Sequence, residues 1–270
     1  MFQSFIRNRW ALALPAALVA ATAQAALVNV TITIENLAAT NGISFAPLHY
    51  GFNQGVFDSF DINSAATAPI ISIAEGGSGS AWQPAFASAE PTATRGTIGG
   101  ALLPGNTASM TVTVNTLLNQ YFTFASMVIP SNDHFIGNDA PTEYRLFDAV
   151  GNLLLSSITQ SASDIWDAGS ETFDPLAAAF LQIGNNDLRT PQNSTVGFNF
   201  SDLAGYNGLT TAAGYVFNSG LTDSTDVYRI SFNATTVPEP QTLGLVLSGL
   251  ALSGWFSRRR RQSAQANTTA

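Results

Sequence analysis

Carboxylate side chains are concentrated in two short segments of the sequence, residues 130–139 and 163–171. The first contains Asp133, and in the second Asp167 and Glu171 flank a glycine-containing turn that lets both side chains point toward one place. Asp133 would complete a set of three carboxylates. Hard cations such as Ca²⁺ take about six to eight oxygen ligands from carboxylates, backbone carbonyls and water. The pattern therefore favours a Ca²⁺ site at Asp133, Asp167 and Glu171.

Other roles for these residues stay open. A single loop aspartate is more often part of an Asx turn or a helix cap than a metal ligand, and we expect Asp139 and Asp164 to be solvated loop residues. Either histidine could in principle act as a general base. We expect His134 to be a neighbour of the carboxylate site and His49 to have a structural role. The sequence has no Gly-x-Ser-x-Gly motif and no recognisable order of nucleophile, base and acid. We therefore predict that the protein is not an enzyme.

Alternating apolar and polar residues predict the strands that would position these segments. The alternation is present at 28–34, 109–114 and 228–233 and is typical of half-buried strands. Residues 121–129 are nearly all apolar, as in a central strand covered on both faces. Residues 144–155 predict a hairpin around a turn at 148–152.

Helical periodicity is weak between the two ends of the chain. A short helix is predicted at 175–183, with Asp174 as its N-cap, and the Gly-, Ser-, Ala- and Pro-rich residues 76–94 predict a long loop. The fold class that fits is all-β, an antiparallel two-sheet β-sandwich at residues 26–236, with its function in the end loops.

Composition narrows the partners of this domain. The chain has no cysteine and no lysine, and 46% of its residues are hydrophobic, so stability must come from a core rather than from disulfides. The predicted mature domain has four arginines against 17 acidic residues, a net charge of −13. Such a domain repels phosphate backbones and attracts divalent cations, which excludes nucleic acid as a partner.

The first 25 residues have the form of a secretory signal peptide. Arg7 and Arg9 precede an apolar stretch at 11–21, and Ala23-Gln24-Ala25 is a small-residue cleavage site. We therefore expect export through the inner membrane.

The C-terminal region, residues 237–262, has three parts. Pro238, Glu239 and Pro240 form a stiff, accessible segment, residues 242–256 are apolar and uncharged, and Arg258 to Arg261 form a basic cluster. This order resembles the PEP-CTERM sorting signal. The resemblance implies processing by an exosortase, transient membrane anchoring through a C-terminal hydrophobic helix, and delivery to the cell surface or the exopolysaccharide matrix. Residues 263–270 are expected to be a disordered tail.

Four segments of the predicted mature domain carry a second resemblance. They are Ser44–His49, Ile73–Gly76, Met127–Asp133 and Trp166–Glu171. In order and spacing they resemble the spondin N-terminal domain of F-spondin and mindin. The resemblance implies a β-sandwich of the calcium-and-lipid-binding type with one Ca²⁺, whose ligands fall on Asp133, Asp167 and Glu171. The chain departs from the family pattern at Asn132, His134 and Glu171, and it lacks the cysteines of the animal domain.

Three functions follow as hypotheses. The first is an exported, calcium-binding adhesive domain whose partner is a polysaccharide or a surface protein. The second is a carbohydrate-binding matrix module that stacks sugars on Trp82 or Trp166. The third is a secreted hydrolase that uses Asp133, His134 and Glu171.

Overall fold

The computed structural model describes residues 27–237. The predictions for the signal peptide at 1–25, for Pro238, Glu239 and Pro240, for the hydrophobic helix and for the tail at 263–270 lie outside the described residues.

The described residues form two antiparallel sheets, which confirms the predicted all-β sandwich. The first sheet has the strand order β5-β1-β12-β9 and the second β11-β10-β7-β6-β3-β4, with β2 and β8 also paired to β6. The strands are β1 (Leu27–Asn36), β2 (Ser44–Phe45), β3 (Leu48–Asn53), β4 (Thr94–Ile98), β5 (Thr107–Asn115), β6 (Tyr121–Ile129), β7 (His134–Gly137), β8 (Tyr144–Arg145), β9 (Ser157–Ser161), β10 (Trp166–Asp167), β11 (Gly197–Phe198) and β12 (Asp226–Thr236). Short 3-10 helices span Ala162–Asp164, Asn186–Leu188 and Ser201–Tyr206.

The alternating pattern and the continuous apolar pattern of the sequence both form the kind of strand that was predicted. In β1 every second residue from Val28 onward is buried, and β1 lies between β5 and β12 in the first sheet. In β6 all residues after Tyr121 are buried, because this strand lies in the middle of the second sheet and is packed on both faces. The two sheets meet at Phe122, whose ring centroid is 4.9 Å from that of Phe232 in β12.

The prediction of a long loop at 76–94 is wrong. Helix α1 spans Ala68–Gly76 and helix α2 spans Trp82–Ala89. Thr67 caps α1 by accepting a hydrogen bond from the Ile70 amide, and Gly77 ends it with φ at 59°. In α2 the residues Trp82 and Phe86 lie four positions apart and are both buried. The small residues around these two anchors obscured the helical pattern.

The prediction that Trp82 or Trp166 stacks on sugars is wrong, because both side chains are buried. Trp82 is fully buried and Trp166 is 5% exposed. Trp166 stacks on Phe198 with ring centroids 3.8 Å apart, and its indole N–H donates to the Gly137 carbonyl. Both indoles therefore belong to the core between the helices and the second sheet.

Of two further predictions, one is wrong and one is confirmed. The prediction of a helix at 175–183 is wrong. The Asp174 carboxylate accepts from the Leu176 amide in an Asx turn, and Ala179 forms a β-bridge with Ser131. The turn at 148–152 is confirmed, because Asp148 and Asn152 are hydrogen bonded across it. The strand that precedes this turn, β8, pairs with β6.

Helix α2 requires a glycine in β3. A Cβ atom at Gly51 would lie 2.3 Å from Cζ of Phe86. We therefore expect Gly51→Ala to lower the free energy of unfolding by about 1–3 kcal/mol through overpacking. Gly76→Ala is the matched control, because a Cβ there meets nothing within 4 Å and alanine favours the end of α1. Urea denaturation measures both; equal stabilities would contradict the packing.

The described chain begins and ends at one end of the sandwich. The Val237 amide donates to the Leu27 carbonyl over 3.2 Å, and Leu27 pairs with Asn115 at the end of β5. Residues 116–120 then lead directly into the start of β6 at Tyr121. This end, containing Leu27 and Val237, is called the attachment end below.

The turn that contains Asp133 lies at the opposite end. It follows Ile129, and the eight rises of β6 from Tyr121 to Ile129 amount to about 26 Å. The end that contains this turn is called the cavity end.

Candidate metal centre

The register of two strands brings the two carboxylate segments together. Asp133 precedes β7, and β10 pairs with β7 so that Asp167 lies opposite His134. The Ala168 amide also donates to the Asp133 carbonyl over 3.1 Å. The turn after β10 therefore lies against the turn before β7, as the sequence predicted.

Gly169 gives the second turn its shape. Its φ is +62°, and a Cβ there would lie 2.7 Å from the Thr195 carbonyl oxygen. The Gly169 amide donates to Oδ1 of Asp167 over 2.7 Å, which holds that carboxylate at the start of the turn. Only glycine combines this backbone conformation with this close approach.

The Asp133 carboxylate anchors the second turn to the first. Its Oδ2 accepts from the backbone amides of Ser170 and Glu171 at 2.8 and 2.9 Å, and from the Ser170 hydroxyl at 3.3 Å. Burial and the charge of Asp167 raise the pKa of Asp133, while these hydrogen bonds and His134 oppose the rise. Asp133 is therefore a structural anchor as well as a candidate ligand.

Glu171 is buried and already has a cationic partner. Its Oε1 accepts from the Asn132 side-chain amide over 2.7 Å, and its Oε2 lies 3.3 Å from Nε of Arg189, an ion pair without hydrogen-bond geometry. Burial raises the pKa of Glu171 to about 7, against the opposing effects of Asn132 and Arg189. Arg189 also pairs with Glu75 at 3.5 Å and donates to its carbonyl. Part of the charge of Glu171 is therefore compensated within the chain.

All three predicted residues line one cavity of about 230 Å³. A fourth carboxylate, Asp202, also lines it, and Asn199 links Asp202 to Asp167 by donating to both at 2.8 and 3.2 Å. The remaining lining residues are Asn132, His134, Thr172, Phe173, Gln192 and Tyr206. The cavity is therefore acidic, with an aromatic wall.

The two histidines differ in how their ring nitrogens are satisfied. His49 contacts the Thr97 hydroxyl at 3.0 Å and the Gly77 carbonyl at 3.2 Å, and burial lowers its pKa, in agreement with a structural role. His134 is 3% exposed, and neither of its ring nitrogens has a hydrogen-bond partner among the described residues. Its Nε2 lies 4.0 Å from Oδ2 of Asp167.

Several residues of the site could not be found from the sequence. Asn132 connects the site, because its Oδ1 accepts from the Tyr206 hydroxyl at 2.5 Å and from the Asp174 amide at 3.0 Å. Arg189 directly follows the 3-10 helix Asn186–Leu188 and Asp202 lies in the 3-10 helix Ser201–Tyr206, and neither residue belongs to a motif in the sequence. The predicted solvated residue Asp164 instead caps the 3-10 helix Ala162–Asp164.

The carboxylates line one cavity, but their side chains are not arranged as a coordination shell. Within residues 27–237, no three His, Asp or Glu side chains are grouped closely enough to hold a metal as they stand. The three hydrogen bonds to Asp133 described above all end on Oδ2, so they leave its Oδ1 available to a ligand.

The sorting signal is the part of the chain that a comparison with known families identifies. Residues 236–261 match the PEP-CTERM protein-sorting motif. This motif indicates an exported protein that is processed by an exosortase and has a surface or extracellular location. Compared with curated proteins, the chain has no match. Within the part of the chain that the structure describes, no helix is long and apolar enough to cross a membrane.

Proposed function

We propose that the exported domain is a non-enzymatic, calcium-binding adhesive module of the cell surface or the exopolysaccharide matrix. The observation that carries the proposal is the meeting of Asp133, Asp167 and Glu171 in one acidic cavity. The spondin-like motifs of the sequence, and the calcium-and-lipid-binding type of sandwich that they imply, are part of the same proposal.

The charge of the cavity supports a cationic ligand. Four carboxylates line it, and the arginine nearest to them, Arg189, is shared between Glu75 and Glu171. Burial and, after it, repulsion from Asp167 raise the pKa of Asp133. A divalent cation between them would remove that repulsion and supply the attraction that the chain itself lacks there.

The position of the cavity supports a role toward an external partner. The sorting motif begins at residue 236, at the attachment end, whereas the cavity lies at the cavity end, on the other side of strand β6, whose length is about 26 Å. A protein processed and held near Val237 therefore presents the acidic cavity away from its attachment point.

The other two hypotheses have less support from the geometry. For a hydrolase, Glu171 is engaged by Arg189 and Asn132, and the His134 ring nitrogens contact no hydroxyl nucleophile among the described residues. For a carbohydrate module, the two tryptophans meant to stack on sugars are buried.

Calcium titration of thermal unfolding tests the proposal. Extracellular calcium sites often have Kd values of about 10⁻⁴ to 10⁻³ M. With a Kd of about 1 mM, 10 mM Ca²⁺ would stabilise the domain by about 1.4 kcal/mol and raise its Tm by about 3–6 °C. Asp167→Asn should abolish the rise, whereas Asp223→Asn, on an exposed loop, should keep it. An identical Tm in EDTA and in calcium would reject the calcium site.

A further inference from the structure

We propose that His134 adds a nitrogen ligand to this cavity, so that the site prefers a first-row transition-metal ion such as Zn²⁺ to Ca²⁺. This inference rests on the proposed cation site and names the kind of ion that it selects. It involves no other part of the proposed function.

The first observation is the unsatisfied imidazole. The His134 side chain is 4% exposed, it lines the cavity, and both of its ring nitrogens lack a hydrogen-bond partner among the described residues. A buried polar group without a partner destabilises the folded state. Such groups in folded proteins usually have a ligand, a water molecule or an ion to satisfy them.

His49 provides the internal comparison. It is buried to a similar extent, at 5% exposed, yet its two ring nitrogens contact Thr97 and Gly77. The fold therefore provides a polar partner for both ring nitrogens of one of its two histidines. The other, His134, lies in the wall of the acidic cavity.

The second observation is the distance between His134 and Asp167. Nε2 of His134 and Oδ2 of Asp167 are 4.0 Å apart. Zinc binds imidazole nitrogen and carboxylate oxygen at about 2.0–2.2 Å each, so two ligands of one ion can be at most about 4.2 Å apart. The pair is within that limit, and a small rotation of either side chain would close it to a tetrahedral angle.

The neighbouring carboxylates complete the donor set. Asp133 precedes His134 in the chain and interacts electrostatically with both His134 and Asp167. The cation of the region, Arg189, pairs with Glu75 and Glu171, so it does not neutralise Asp133 or Asp167. One imidazole and one carboxylate, His134 and Asp167, are therefore within reach of a single divalent ion as they stand, and Asp133 would have to move to join them.

This donor set discriminates between metals. Ca²⁺ is bound in proteins by oxygen ligands alone, whereas imidazole suits Zn²⁺ and its first-row neighbours. The nitrogen of His134 should therefore increase the affinity for Zn²⁺ and leave the affinity for Ca²⁺ nearly unchanged.

The test is calorimetric titration of the untagged, metal-free exported protein with Zn²⁺ and, separately, with Ca²⁺. We expect Zn²⁺ to bind at least tenfold more tightly than Ca²⁺. His134→Gln should weaken Zn²⁺ binding at least tenfold and change the affinity for Ca²⁺ less than twofold. Equal Zn²⁺ affinities of the variant and the wild type would overturn the inference.

A second measurement does not depend on the folding of a variant. The chain has two histidines, so a long-range ¹H–¹⁵N spectrum of the imidazoles contains two ring systems. Zn²⁺ should shift the ring nitrogens of His134 and leave those of His49 in place. If Zn²⁺ leaves both rings unchanged while Ca²⁺ still raises the Tm, the inference fails and the calcium site stands. If neither ion binds, both proposals fail.

Discussion

Asp133→Ala should lower the free energy of unfolding by about 3–5 kcal/mol in the absence of any metal. The substitution removes the acceptor of two backbone amides and one hydroxyl, and it leaves the buried amide of Glu171 without a partner. Hydrogen bonds to a charged group contribute about 1.5–3 kcal/mol each, and a buried donor left unpaired costs about as much. Denaturation by urea in EDTA measures the change.

Two matched variants separate the structural role of Asp133 from its charge. Asp133→Asn keeps one acceptor oxygen for the turn at Ser170 and Glu171, so we expect a loss of about 1–2 kcal/mol. Asp223→Asn, on an exposed loop, should stay within about 0.5 kcal/mol of wild type. If Asp133→Ala were as stable as Asp223→Asn, the carboxylate would not hold the two turns together.

The second large effect is expected at Arg189. Arg189→Gln removes the cation that lies 3.3 Å from the buried Glu171 carboxylate and 3.5 Å from Glu75. Removing one partner of a buried ion pair leaves an uncompensated charge and typically costs about 3–5 kcal/mol. Because the Arg189 side chain is 28% exposed, and because Glu171 with its pKa of about 7 can take up a proton once the cation is removed, we expect a loss of about 2–3 kcal/mol. Urea denaturation at neutral pH measures the loss.

A double-mutant cycle isolates the pair of Arg189 and Glu171. Glu171→Gln removes the charge that Arg189 compensates and keeps an oxygen for the Asn132 amide. The double variant should therefore be more stable than the sum of the two single effects predicts, by about 1–3 kcal/mol. The same cycle with Glu75→Gln, whose side chain is 19% exposed, should show a smaller coupling. Additive effects at Glu171 would show that Arg189 does not compensate its charge.

The strands could be predicted from the sequence because burial alternates along them. Val28, Val30 and Ile32 face the core of a sheet whose other face is partly exposed, so the period of two is visible in the residue types. The helices could not be predicted, because small residues interrupt the apolar pattern of both α1 and α2. Their apolar faces rest on a few anchors such as Trp82 and Phe86, and tertiary packing decides their structure.

The site could be predicted in part for a similar reason. The turn around Gly169 is a local feature, so the approach of Asp167 and Glu171 could be inferred from spacing. The partner of Glu171 could not, because Arg189 reaches it from a loop whose position depends on the whole fold. The same holds for Tyr206, which reaches Asn132 across 74 residues of sequence.

The most direct measurement is a crystal structure of the exported protein, freed of other metals and grown in millimolar calcium. We expect an anomalous density peak in the cavity, with oxygens of Asp133 and Asp167 at about 2.3–2.6 Å from it. An ordered cavity without such a peak, at calcium concentrations well above 1 mM, would contradict the calcium site.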